Sequence, residues 1–131
     1  MKSFIESFSI PFYQTKIDNW EFKQKKLLSI YEDFAKDNMD FGEQNSDFDS
    51  STNYHVIIET ILFEDIRRAI KEISLIPGQP RVANAWFQTY DKGHTHAVHN
   101  HGAIGFSSVL YIKFDKNEHK GTQFISPFTS F

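Results

Sequence analysis

Four histidines, His94, His96, His99 and His101, fall within the stretch "GHTHAVHNHG" at residues 93–102. The whole chain holds six. Neutral imidazole nitrogens bind first-row transition metals, and they titrate near neutral pH. The cluster can therefore be read as a metal site, as a pH-sensitive surface or as a polar loop. On a strand, side chains at i and i+2 share a face. His99 and His101 then form one pair and His94 and His96 another. The two pairs have opposite parity, so a regular strand would send them to opposite faces. Gly102 and Gly105 follow the second pair closely, and strand-like stretches flank it, which favours His99 and His101 as the site. Two imidazoles leave an ion under-coordinated, and two histidines with one carboxylate leave iron with open positions for O₂ and an oxoacid.

The rest of the chain must position these side chains. Its 131 residues suit one small domain. Aromatic residues make up 16%, with 14 Phe, so a core is feasible despite a hydrophobic content of 40%. A net charge of −3 provides no basic field to draw nucleic-acid phosphates. The absence of cysteine excludes disulfides, thiolate catalysis and cysteine zinc sites. The start, "MKSFIESFSIPFYQTK", has no signal-peptide core, and no run is long enough for a membrane span, so the expected location is the cytoplasm.

"FSIPFYQTKI" reads as a leading extended segment in which Pro11 suits an edge strand. A helix is predicted from about Asn19 to Asp37. Asp18 and Glu21 have capping-box spacing, and Leu27, Leu28, Tyr31, Phe34 and Ala35 form an apolar face. "DNMDFGEQNSDFDSSTN" is rich in turn formers and reads as a solvated connection. Its carboxylates do not fit the spacing of a calcium loop. A second helix is predicted over roughly residues 60–75, with Leu62, Ile66, Ala69, Ile70 and Ile73 on one face and Pro77 and Gly78 beyond its end. Tyr54 to Ile58 could instead form a short strand.

After Pro80 the pattern changes to short β-rich stretches: "RVANAWFQTY", "HAVHNH", "GFSSVLYIKF" and "TQFISPF". Gly93, Gly102, Gly105 and Gly121 punctuate them. The expected fold is α+β in one domain. Residues 1–79 would be mainly helical and would pack on an antiparallel sheet formed by residues 80–131. Asn84, Gln88 and Tyr90 share a strand face and could line one cavity. Trp86 shares that face and is expected to pack. Arg81, Lys113 and Lys120 are expected to be solvated.

Residues 85–128, "AWFQTYDKGHTHAVHNHGAIGFSSVLYIKFDKNEHKGTQFISPF", resemble the first half of the catalytic barrel of Fe(II)/2-oxoglutarate-dependent oxygenases. They are most similar to the prolyl-4-hydroxylase-like group common in phages and marine bacteria. The shared elements, in order, are a Trp-bearing strand ending in Tyr and Gly, a metal-binding His with a second ligand two residues on, an "SxVLYI" strand, a Gly turn and a "T-x-F" strand. The resemblance implies a partial double-stranded β-helix, of jelly-roll or cupin-like form. It implies Fe(II) and 2-oxoglutarate as cofactors, with Zn or Ni as possible substitutes for the metal. His99 and His101 would be metal ligands, His101 standing where the wider superfamily usually has Asp. Tyr90 and Tyr111 would contact 2-oxoglutarate. Asn84, Gln88, His94, His96 and Thr122 would surround the site, and Thr122 and Phe124 match the strand after the Gly turn.

No residue matches the family's distal histidine or its basic anchor for the far carboxylate. The chain is therefore expected to be a truncated form, to complete its sheet with a second copy as a homodimer or larger assembly, or to be a diverged binding module. Two alternatives to the oxygenase are kept. One is a cupin-like metal protein, because Gly93 precedes the His-x-His at the right distance, although the Glu expected after it is absent. The other is a non-enzymatic assembly or recognition module. The substrate, a protein or a small molecule, is not identified by these residues.

Overall fold

The computed structural model describes residues 13–39, 45–48, 54–73, 81–91, 93–101 and 105–124. They belong to two units, Met1–Val98 and His99–Phe131. Pro11, Pro77, Gly78, Gly102, the final "ISPF" and the end of the second predicted helix lie outside the described residues.

In the first unit, α1 spans Trp20–Ile30. The helical path continues through a π-helical turn, Tyr31–Ala35, and a 3₁₀ turn, Lys36–Asn38. The predicted helix is thus present with three different pitches. Leu27, Ile30, Ala35 and Met39 are buried, whereas Phe34 of the predicted apolar face is exposed. A pure 3.6-residue period does not survive a π turn, which shifts later side chains around the axis. The predicted capping box does not form. Asn19 occupies the cap position with φ 51° and makes no side-chain cap. The Asp18 side chain pairs with Arg68 instead, and its backbone N–H donates to Asp65 Oδ1 at 3.1 Å.

The second helix, α2, spans His55–Ile73. Residues Tyr54 to Ile58 lead into this helix and form no strand, since the Ile58 N–H donates to the Tyr54 carbonyl at 3.0 Å. Leu62 of the predicted face is buried, and Ile66, Ala69, Ile70 and Ile73 are half-buried. Periodicity alone overlooks two buried acids on α2, Glu59 and Asp65. Asp65 joins α1 to α2 by accepting from Lys23 Nζ at 2.5 Å and from Arg68 Nη2 at 2.9 Å. Glu59 holds the start of the next segment through Arg81 Nε at 2.8 Å and the Val82 N–H at 3.4 Å. Arg81 is therefore an ion-pair partner rather than only a solvated charge.

The expected antiparallel sheet is absent from the described residues. Among the described residues, β pairing is confined to one antiparallel bridge between Ser46 and Gln88. The Asp47 N–H donates to the Phe87 carbonyl at 3.3 Å and the Thr89 N–H to the Asn45 carbonyl at 3.0 Å. The fold seen is helical, and the α+β reading with a jelly-roll half is overturned. The physical reason lies in the difference between strand-like sequence and strand pairing. β propensity measures how well a side chain fits a pleated, partly buried surface. It does not supply the neighbouring strand that satisfies the backbone. Residues 81–91 take their partner from the loop at residues 45–47. In the second unit, the described residues pair with no ladder at all.

Phe87 couples this extended segment to the helices. Its ring is buried and lies 5.6 Å from both Tyr31 and Tyr54. Burying one such aromatic contributes about 2–3 kcal/mol. Trp86, on the opposite face, meets Phe48 edge-on with ring centroids 4.9 Å apart, in keeping with a packing role. The loop at residues 45–47, expected to be solvated, is buried instead. No helix among the described residues is long and apolar enough to cross a membrane.

Candidate histidine and carboxylate sites

The four histidines fall in different environments. His94 follows a turn that its own N–H closes on the Asp91 carbonyl at 3.0 Å. Gly93 sits in the third position of that turn with φ 86°, a conformation that L side chains rarely adopt. The turn brings His94 Nδ1 to 3.1 Å from Nδ2 of Asn45. Asn45 Nδ2 also lies 3.4 Å from Asp91 Oδ2. His96 Nδ1 lies 3.4 Å from Gln88 Nε2. His94 and His96 thus each lie against an amide side chain.

In the second unit, His99 and His101 face each other. Their Nε2 atoms are 3.2 Å apart and their rings meet at 70° with centroids 4.9 Å apart. Both are exposed. The i, i+2 spacing is what brings them together, since extended backbone sends alternate side chains to one side. A metal–imidazole bond is about 2.0–2.1 Å, so two nitrogens bound at adjacent positions of one ion stand about 2.9–3.4 Å apart. The observed separation falls in that range. No group of three or more His, Asp or Glu side chains suited to a metal occurs among the described residues.

The second unit also joins Tyr111 to Thr122. The tyrosine hydroxyl lies 2.7 Å from Thr122 Oγ1 and accepts from the Thr122 N–H at 2.5 Å. Phe114 packs on Tyr111 at 4.9 Å. A turn at residues 115–119 follows, in which Asp115 donates its N–H to His119 Nδ1 at 2.8 Å. Of the predicted residues in the first unit, Tyr90 is about half exposed. Asn84 Oδ1 accepts from the Ala85 N–H at 2.9 Å. Two shallow grooves run along α2, one of about 420 Å³ and one of about 300 Å³, and no predicted site residue lines either.

The most enclosed polar side chains are ones that the sequence pattern does not mark. Asp47 is buried and accepts from the Phe87 N–H at 2.6 Å and from the Tyr54 hydroxyl. Burial, and then the Asp47 carboxylate, push the Tyr54 hydroxyl far above its ordinary range, so it stays protonated and donates. Asp65 is the second such group. Desolvation pushes its carboxyl upward, but the Lys23 ammonium, the Asp18 N–H and Arg68 outweigh it and hold it below the ordinary aspartate range. Both carboxylates accept hydrogen bonds from distant parts of the chain and so bind the fold together.

No family model, no curated protein and no solved structure matches the chain.

Proposed function

We propose that His99 and His101 chelate one divalent first-row metal ion and that the chain is of the Fe(II)/2-oxoglutarate oxygenase type. The observation that carries the metal site is the 3.2 Å separation of the two Nε2 atoms. Imidazole nitrogen suits Fe(II), Zn and Ni alike. The oxygenase reading draws on the ordered motifs of residues 85–128. The hydroxyl pair formed by Tyr111 and Thr122, in the same unit as the histidines, also supports it. It does not draw on a jelly-roll sheet. Iron in such a site supplies O₂ activation, with 2-oxoglutarate as the source of electrons. The chain's own contribution would be to hold the metal with two neutral imidazoles and to offer the Tyr111 hydroxyl to a carboxylate.

Metal analysis of untagged protein after incubation with Fe(II), Co(II) or Zn(II) tests the first part. One equivalent is expected. His99→Ala or His101→Ala should weaken binding by on the order of 100-fold or more, because losing a ligand costs at least what losing a ligand's supporting partner costs. Equal binding in both variants would remove the proposed ligands. Succinate formation from 2-oxoglutarate and Fe(II) tests the second part. Stoichiometric metal without succinate would favour a metal-binding protein that lacks oxygenase activity. That alternative has its own support in the lack of a third ligand among the described residues. No metal at all would favour an assembly module.

Self-association belongs to the same reading. In the second unit, Phe106, Val109 and Phe124 are more than half exposed, with Phe124 at 71%. Exposed apolar side chains gathered on extended segments invite association with another chain. A dimer or larger species is expected in sedimentation at micromolar concentration, and a clean monomer would rule it out.

A further inference from the structure

Three unusual features meet at Asn45. It is a non-glycine residue with φ 42°, a conformation that is costly for most L side chains although asparagine tolerates it better. Its side chain is buried, and Oδ1 has no hydrogen-bond partner among the described residues. An unsatisfied buried carbonyl is costly. Its Nδ2, by contrast, faces both Asp91 Oδ2 and His94 Nδ1. Backbone bonding does not require any of this, because the bridge to Thr89 uses the Asn45 carbonyl and would serve equally with glycine there.

The arrangement fixes the amide's orientation. A carboxylate only accepts hydrogen bonds, so the end of the amide facing Asp91 must be the NH₂. The same NH₂ then donates to His94 Nδ1. A neutral imidazole has one donor and one acceptor nitrogen. With Nδ1 accepting, the proton of His94 resides on Nε2, on the far side of an exposed ring. To bind a metal through Nε2, His94 would have to move that proton to Nδ1, against the Asn45 NH₂. Reversing the amide to relieve the clash would turn Oδ1 toward the Asp91 carboxylate.

We propose that Asn45 is a positioning residue that locks His94 in the Nε2–H form, making it a neutral hydrogen-bond donor and keeping it out of any metal site. Asn45 and Asp91 thereby divide the histidine cluster. His94 offers an N–H to an oxygen acceptor and is lost as a ligand, however close in sequence it lies to His99. The proposal rests on residues of the first unit alone and does not depend on the metal site at His99 and His101.

The tautomer can be read directly by long-range ¹H–¹⁵N correlation on ¹⁵N-histidine-labelled full-length protein, without metal. His94 is expected to show the single Nε2–H pattern. Asn45→Ala should remove that preference and give the averaged pattern of a solvated histidine. Asp91→Ala, at an exposed position and so compatible with folding, should do the same by freeing the amide to reverse. A Nδ1–H pattern in the unmodified protein, or an unchanged pattern in the folded variants, would overturn the proposal. A zinc titration separates this from the function proposed above. His94 should keep its pattern while the ¹⁵N shifts of His99 and His101 move. Zinc coordination by His94 would refute the lock, whereas zinc that moves no histidine would refute only the ligand pair.

Discussion

Replacing Asp47 by alanine is expected to destabilise the protein by about 2–6 kcal/mol, because it leaves two buried donors without an acceptor at about 1–3 kcal/mol each. The carboxylate is only 2% exposed. Its loss leaves the Phe87 N–H without its 2.6 Å acceptor and the Tyr54 hydroxyl without its own, both in a buried site. Phe87 is the residue whose ring stacks between Tyr31 and Tyr54, so a loosened Phe87 backbone also loosens aromatic packing. For a small domain with a total stability of about 5–15 kcal/mol, that is a large fraction. Asp47→Asn keeps an acceptor for the N–H and should cost less, about 1–2 kcal/mol. Urea unfolding followed by circular dichroism checks both. An Asp47→Ala midpoint within error of the parent would remove the buried-network account. Tyr54 gives a separate readout. With its folded value raised, the stability it contributes is fully present below the ordinary tyrosine range and is lost as pH rises above it. The parent should therefore lose stability above about pH 10, and Tyr54→Phe should lose less over the same range.

Asp65→Ala is expected to have an effect of similar size, about 3–5 kcal/mol. The carboxylate is 2% exposed and gathers Lys23, Arg68 and the Asp18 N–H. Removing it leaves the Lys23 ammonium, itself only 14% exposed, beside an empty position at the α1–α2 contact. Charge has its own signature here, which shape does not. Because the folded carboxyl is held below the ordinary aspartate value, its stabilisation is complete above that value and is lost as pH falls through the depressed one. Stability of the parent should decline from about pH 4 downward, and that part of the decline should vanish in Asp65→Asn. An identical acid limb in the parent and Asp65→Asn would show that the contact is held by packing instead.

The two helices were legible because each buries a face whose period the sequence displays. Leu27 and Ala35 on the first, and Leu62 on the second, sit where spacing puts them. Their finer structure was not legible. Asp18 and Glu21 satisfy the spacing of a capping box, yet Asp18 finds a stronger partner in Arg68, fifty residues away, and local spacing cannot register a distant cation. The buried loop was misread for a related reason. Asn45, Ser46 and Asp47 have the composition of a solvated turn, and only the hydrogen bonds from residues 87 and 89 distinguish a buried polar loop from an exposed one. The missing sheet is the clearest case. Alternation in "GFSSVLYIKF" states which side chains would share a face, but pairing needs a second segment at ladder distance.

At the histidines, the i, i+2 rule anticipates the contact between His99 and His101. It could not show that Asn45 and Gln88 would take up the other two rings, because those partners lie 49 and 8 residues away in sequence. Tyr111 and Thr122 were singled out separately, and the structure brings their hydroxyls together.

The links through Asp65 and Asp47 also set an order of assembly. The Asp18–Asp65 bond closes 47 residues and the Asp47–Phe87 bond closes 40, and the two spans overlap between residues 47 and 65. On a chain emerging from the ribosome, the first loop can close before Phe87 has been made. Residues 45–47 must then wait, with three polar side chains destined for burial, for a segment synthesised about forty residues later. The helical pair is then in place before the segment around Phe87 docks on residues 45–47. A pause in translation between residues 73 and 87 would therefore favour correct docking. Loop-closure cost grows only slowly with length, by about 0.6 kcal/mol per doubling, so lengthening the connection near residues 74–80 should be tolerated thermodynamically while delaying that last step.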